Sequence, residues 1–138
     1  MAHIGLEFDL ASNAPAILRT VLPSGNWIVA SDRTVSAVLA TAIRRNLAVD
    51  VEMFLIADAP GNEAPVADQA RVDALQERIR SVAASAVVAV GSGTVNDVAK
   101  LAAFNVDIPY AVLATAPSMN GYTSSVASLI VDGCKVSR

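Results

Sequence analysis

The sequence predicts an α/β fold in which a parallel sheet is covered by helices on both faces, and three observations carry that prediction. Short apolar runs rich in β-branched residues alternate along the chain with longer segments of helical periodicity. The hydrophobic fraction is 54% while aromatic residues supply only 4%, so the excess is Ala, Val, Leu and Ile, the composition of buried parallel strands flanked by Ala-rich helices. A glycine-containing turn, Gly91-Ser92-Gly93, leads straight from one of the apolar runs into a helical segment. At 138 residues the chain has the size of one domain, and a chain of that length buries roughly two thirds of its unfolded surface.

The elements follow in order. No pattern is legible in the first two dozen residues. Trp27-Ile28-Val29-Ala30-Ser31, entered from the turn-forming Pro23-Ser24-Gly25-Asn26, reads as a buried first strand. A helix follows, capped by Asp32 or Thr34, with Val35, Val38, Leu39, Ala42 and Ile43 at helical spacing and Arg44 and Arg45 complementing its last turn. Residues 48–56 are β-rich enough for a second strand. Two prolines and a glycine make 58–68 a loop. The clearest helix covers 68–82, with Val72, Leu75, Ile79 and Val82 on one face and charged residues on the other. Ala86-Val87-Val88-Ala89-Val90 gives the third strand, 95–104 a further helix, and 110–114 the fourth strand. Alternation of this kind calls for right-handed crossovers and a Rossmann-like layout. The rhythm then breaks: 128–131 and 134–137, joined by Asp132-Gly133, read as a β-hairpin, because Asp-Gly suits the positive backbone angles of a two-residue turn.

Bulk charge and rare residues exclude several functions. A net charge of -3, with both signs scattered, lacks the basic patch that nucleic acid requires. Cys134 is the sole cysteine, so the chain holds no internal disulfide and no multi-cysteine zinc site, in keeping with a reducing, intracellular compartment. Glu7 and Asp9 make the start unlike a signal peptide, and no apolar run approaches the roughly 18 residues of a membrane span; the protein reads as soluble and cytoplasmic. His3 is the only histidine, so neither a catalytic triad nor a multi-histidine metal site assembles within the chain. No catalytic residue and no metal ligand is assigned. Asp97, Asp107 and Asp132 show no acid–base spacing, and Asp97 reads as stabilising the first turn of its helix.

The strongest local signal is Gly91-Ser92-Gly93-Thr94-Val95-Asn96-Asp97-Val98-Ala99-Lys100, at the end of a strand and the start of a helix. Two glycines let backbone N–H groups approach a phosphate at a helix N-terminus, and Thr94 adds a hydroxyl. It is neither a Walker A loop nor a full G-x-G-x-x-G, since Asn96 takes the third glycine's place, and a tight turn without ligand is the competing reading. Asp32, just past the first strand, stands where an open α/β sheet touches a nucleotide, and its carboxylate suits ribose hydroxyls; the competing role is a helix cap. Thr115-Ala116-Pro117-Ser118-Met119-Asn120-Gly121-Tyr122-Thr123-Ser124-Ser125 follows the fourth strand and is crowded with hydroxyls and amides, fit either for a ligand cleft or for a solvated turn.

Taken together, the segments 88–100 and 108–124 resemble the iron-containing alcohol dehydrogenase and dehydroquinate synthase superfamily, and within it the bacterial glycerol-1-phosphate dehydrogenases. The resemblance is specific over 87–135 and loose from Trp27 onward. It implies an NAD- or NADP-binding N-terminal domain over 1–138 of a larger two-domain enzyme, which transfers hydride between glycerol 1-phosphate and dihydroxyacetone phosphate, a step of phospholipid metabolism. It also implies that Gly91, Ser92 and Gly93 hold the pyrophosphate, with Thr94 beside them, and that Asp97 and Lys100 match the pattern of the following helix. Asp32 corresponds to the residue on the adenosine ribose, Thr115 and Ser118 line the cofactor, and Tyr122 and Ser124 continue around the nicotinamide. Asn120 stands near the substrate, where relatives usually carry an aspartate. The family's divalent metal, zinc, iron or nickel, is held by one aspartate and two histidines in a helical C-terminal domain absent here, so this chain is expected to be inactive alone. Its expected partners are a dinucleotide and, in the full-length form, a small phosphorylated polyol, with self-association through the open cleft surface. Another polyol dehydrogenase, a dehydroquinate synthase-like enzyme and a standalone nucleotide-binding module are the alternatives. Asp32 favours NAD, while neighbouring Arg33 can pair with a 2′-phosphate, so both cofactors stay open.

Overall fold

Strand β1 (Trp27–Ser31) is the seed of the sheet, pairing in parallel with β2 (Val51–Leu55) on one side and β3 (Ala86–Gly91) on the other, with β4 (Tyr110–Ala114) beyond β3. The computed structural model describes residues 9–47, 50–61, 63–115 and 121–138. The order β2-β1-β3-β4 aligns Trp27 with Val51 and Ala86, and Gly91 with Ala114. Every residue of β1 and β3 is buried, because both strands are interior and both their faces are covered. That is why they read as continuous apolar runs rather than as alternating ones.

Side chains divide between the two faces with period two. Trp27, Val29, Val88 and Val90 pack against Ala14 and Leu18 of α1 (Leu10–Val21) and Ile43 of α3 (Thr41–Asn46). Ile28, Ala30, Val87 and Ala89 face α4 (Gln69–Ser81) and α5 (Gly93–Asn105). Ala99, Ala102 and Ala103 give α5 a buried side of small residues, so its axis lies close to the sheet. The α/β architecture with helices on both faces is therefore as the sequence predicts.

Helix α1 is not legible in the sequence. Its N-cap, Asp9, sits in the left-handed region at φ 54° without a side-chain capping bond, and Pro15 lies inside the helix, so both usual markers are missing. Burial against Trp27 supplies the stabilisation that local propensity does not. The predicted helix after β1 is present but interrupted: α2 (Arg33–Val35) passes through a π-helical turn, Ser36–Ala40, before α3, and the Thr41 hydroxyl donates to the Ser36 carbonyl at 2.8 Å. Helix α5 starts two residues earlier than the predicted 95. The hairpin is as expected, with β5 (Ser128–Val131) antiparallel to β6 (Cys134–Ser137) across Asp132 at φ 51° and Gly133 at φ 75°. Leu129 is fully buried and ties the hairpin to the α4/α5 side of the core.

Candidate functional site at the strand ends

Connections from β1 run outward to β2 on one side while β3 lies on the other, so the carboxyl ends of β1 and β3 flank the point where the strand order reverses. Open α/β sheets offer a crevice at such a point, walled by helices leaving in opposite directions. Ser31 aligns with Val90, and the next residues, Asp32 and Gly91, are therefore neighbours at this edge. The Thr115 N–H donates to the Gly91 carbonyl at 3.3 Å, bringing the end of β4 to the same row. Three predicted positions far apart in sequence thus converge.

Gly91 is the residue that makes the turn. A Cβ there would lie 2.8 Å from Val95 Cγ2 and 3.0 Å from Val95 Cβ, and its φ of +159° is one that L side chains rarely adopt. Ser92 is the N-cap of α5 in extended conformation, and its hydroxyl makes no capping bond. The Asn96 N–H donates to the Ser92 carbonyl at 3.0 Å, which leaves the amides of Gly93, Thr94 and Val95 as the first-turn donors that a helix cannot satisfy internally. Gly93 and Thr94 are half-buried. Gly93 is the first residue of α5, where ordinary helical backbone suffices, so the conformational demand falls on Gly91.

Asp32 is buried, at 8% exposure, and its Oδ1 accepts from the Val35 N–H at 2.9 Å. The cap is thus realised, through Asp32 and not Thr34. Ser31, fully buried beside it, has a hydroxyl with no partner; within an apolar run this polar atom gave no signal in the sequence. Ser118 and Asn120 lie outside the described residues, as does His3.

The hydroxyl-rich segment is pinned from beneath. Lys100, 9% exposed on α5, donates from Nζ to the carbonyls of Gly121 at 3.1 Å, Ser124 at 2.9 Å and Val126 at 3.2 Å. All three ammonium donors are used. Tyr122 lies between these anchors, in the short 3-10 turn Gly121–Thr123. The Ser124 hydroxyl accepts from the Val126 N–H at 3.2 Å, closing the bend.

Asp97, one turn before Lys100, accepts from the Ser128 backbone N–H. It stands at the fifth residue of α5, so the predicted first-turn role is not the one it has: its carboxylate faces β5 instead. Burial raises the Asp97 pKa above 3.8, against the lowering effects of Ser128, Lys100, Lys135 and Asn96. Burial likewise lowers the Lys100 pKa below 10.5, against the Asp97 charge.

Beside this pair, the Tyr110 hydroxyl donates to Asn96 Oδ1 at 2.9 Å, and Asn96 Nδ2 donates to Asp97 Oδ1 at 3.3 Å. Burial first, and the Asp97 charge second, push the Tyr110 phenol up to about 12 from 10.0. A raised folded-state pKa contributes stability that is complete below the unfolded value and lost as pH climbs through the folded one. Denaturation midpoints should accordingly fall between pH 10 and about 12, and Tyr110→Phe should lose this part of the slope. Equal alkaline slopes in the two proteins would show that the phenol is not held.

Among the described residues, no group of three or more His, Cys, Asp or Glu side chains is arranged to hold a metal ion. None of their helices is long and apolar enough to cross a membrane. A hollow of about 370 Å³ next to Leu101, Phe104, Asn105 and Ala127 lies toward the far end of α5 and meets the groups above at Lys100 and Ser125.

Residues 7–138 match the family profile of the iron-containing alcohol dehydrogenases. Glycerol-1-phosphate dehydrogenase (NAD(P)+) of Geobacillus thermodenitrificans is 39% identical over 75 residues, which are 54% of this chain and 18% of that protein. The protein of the same name from Methanosarcina mazei is 31% identical over 121 residues, 85% of this chain and 32% of that one. The structure of sulfoacetaldehyde reductase from Bifidobacterium kashiwanohense in complex with NAD+ superposes with a TM-score of 0.73 at 21% identity, over 94% of this chain and 39% of that one; this likeness is one of fold. The matches span well under half the length of each of these proteins.

Proposed function

The chain belongs to the iron-containing alcohol dehydrogenase family, and we propose that residues 1–138 are the dinucleotide-binding domain of an NAD(P)-dependent glycerol-1-phosphate dehydrogenase. The observation that carries this reading is the convergence of Asp32, the Gly91 turn with the α5 N-terminus, and Thr115 at the strand-order reversal. Two relatives named glycerol-1-phosphate dehydrogenase (NAD(P)+) support the choice of substrate and cofactor.

The nicotinamide supplies the hydride chemistry when bound. The chain's own part is to bind and orient. Amides of Gly93, Thr94 and Val95, with the uncommitted Ser92 hydroxyl, suit the pyrophosphate, since first-turn donors and the helix dipole both favour an anion. The Asp32 cap uses Oδ1, and Oδ2 is not part of it, so a ribose hydroxyl and the cap are compatible. In this reading Thr115 and Ser118 are assigned to the dinucleotide, Tyr122 and Ser124 to its nicotinamide half and Asn120 to the substrate, while Asp97 acts by holding the Ser128 backbone. Among the described residues no set of side chains fits a divalent metal. Asn120, where relatives usually carry an aspartate, favours a neighbouring polyol as the second reading of the substrate.

Calorimetric titration of the chain with NADH and with ADP-ribose tests the proposal. Binding on the order of 0.1–1 mM is expected, about 4–5.5 kcal/mol. No heat at millimolar nucleotide would remove the dinucleotide reading, and steady oxidation of NADH with dihydroxyacetone phosphate by this chain alone would overturn the assignment of turnover to other residues.

A further inference from the structure

Arg33 directly follows Asp32, and its guanidinium lies 3.3 Å from Asp58 Oδ2, across the gap between the carboxyl ends of β1 and β2. The Arg33 side chain is 60% exposed, and an ion pair so open is ordinarily weak. What sets this pair apart is how Asp58 is held. Its side chain is only 20% exposed, and its backbone carbonyl accepts from Arg71 Nη2 at 2.6 Å. Arg71 also donates from Nε to the Ala57 carbonyl at 2.7 Å and is locked by Asp68, the N-cap of α4. The Arg71 side chain is itself only 13% exposed. Asp58 therefore presents its carboxylate from a braced loop, and Arg33 is the movable member.

We propose that Asp58 is a specificity-determining residue that disfavours a 2′-phosphorylated dinucleotide by detaining Arg33 and by adding a second negative charge near Asp32. The inference rests on the reading of Asp32 as the ribose contact. A 2′-phosphate brought to that carboxylate meets like charge, and the adjacent Arg33, whose guanidinium has bidentate geometry for phosphate, is already engaged with Asp58. Without the Asp58 charge, Arg33 is free to turn to the phosphate. The two carboxylates do different things: Asp32 recognises the ribose hydroxyls, and Asp58 sets how far a phosphate in their place is tolerated.

The test is the ratio of dissociation constants for NADH and NADPH in the chain and in its Asp58→Asn variant, which keeps the side-chain shape and the Arg71 bonds to backbone. The ratio should move toward NADPH by about three- to tenfold at low salt and by less at high salt, where exposed charges are screened. The pair 5′-AMP and 2′,5′-ADP should show the same shift, since only the adenosine end is involved. Adding Arg33→Met to Asp58→Asn should abolish the gain. An unmoved ratio in a variant that still binds NADH overturns the role of Asp58 and leaves the dinucleotide reading standing. Failure of the unmodified chain to bind any of the four nucleotides overturns both.

Discussion

Gly91→Val should destabilise the chain by about 3–5 kcal/mol and abolish nucleotide binding with it. Two effects add. The new Cβ would sit 2.8 Å from Val95 Cγ2, a distance that real Cβ contacts essentially never show, and 3.0 Å from Val95 Cβ, which is tighter than nine in ten of them. Val95 has no room to withdraw, being fully buried in the core beneath α5 and stiff at χ1. Overpacking of this sort costs about 1–3 kcal/mol, and a non-glycine residue at φ +159° adds a comparable backbone term. The strand end and the α5 N-terminus would have to separate, and the row formed with Thr115 would open. Denaturant midpoints of the chain measure the loss. Gly91→Ala carries most of the clash without a branched side chain and should cost about 2–3 kcal/mol. By contrast Gly93→Ala, on helical backbone, should fold normally and weaken nucleotide binding alone. If Gly91→Ala proves as stable as the parent, the close approach to Val95 is not a constraint.

Lys100→Met should cost about 2–3 kcal/mol and loosen one segment selectively. Methionine keeps the apolar stem that α5 buries but removes the three donors, leaving the carbonyls of Gly121, Ser124 and Val126 without their partner. Asp97 would at the same time lose the nearby cation that offsets part of its burial. Segment 121–126 contains only a short 3-10 turn, so no ladder of backbone bonds replaces the lost anchor. Amide hydrogen exchange should rise across 121–128 while β1 and β3 stay protected. In the dinucleotide reading, NADH affinity falls more than ADP-ribose affinity, because the loosened segment serves the nicotinamide half. Unchanged exchange at 121–128 together with an unchanged midpoint would show that Lys100 is not the anchor.

The parts of this molecule that the sequence shows are those whose physics is local. Continuous apolar runs identify β1 and β3, because an interior parallel strand must be apolar on both faces. Asp132-Gly133 identifies the hairpin, because few other pairs accept positive φ at both positions. Asp68 followed by a helical stripe identifies α4 within a residue or two at each end. Helix α1, by contrast, is invisible: its cap residue makes no capping bond and it contains a proline, so tertiary contacts support it, packing on Trp27 and Ile43 and a bond from Arg19 to the Asn46 carbonyl at 2.9 Å. The π turn at Ser36–Ala40 is equally silent, since the apolar periodicity of 33–46 tolerates one inserted residue.

The candidate site divides the same way. By itself the sequence determined an α/β chain with a strand–glycine turn–helix at Gly91 and a carboxylate after the first strand, since strand, turn and cap preferences act between near neighbours. Only the tertiary structure decided that Asp32, Gly91 and Thr115 share one edge, because strand order is a choice among pairings that all bury the same side chains. It alone gave Lys100 and Asp97 their partners in 121–128, and Arg33 its partner in Asp58, because a charge takes up whichever backbone or counter-charge the fold brings within about 3 Å, at separations in sequence that no pattern of neighbours encodes.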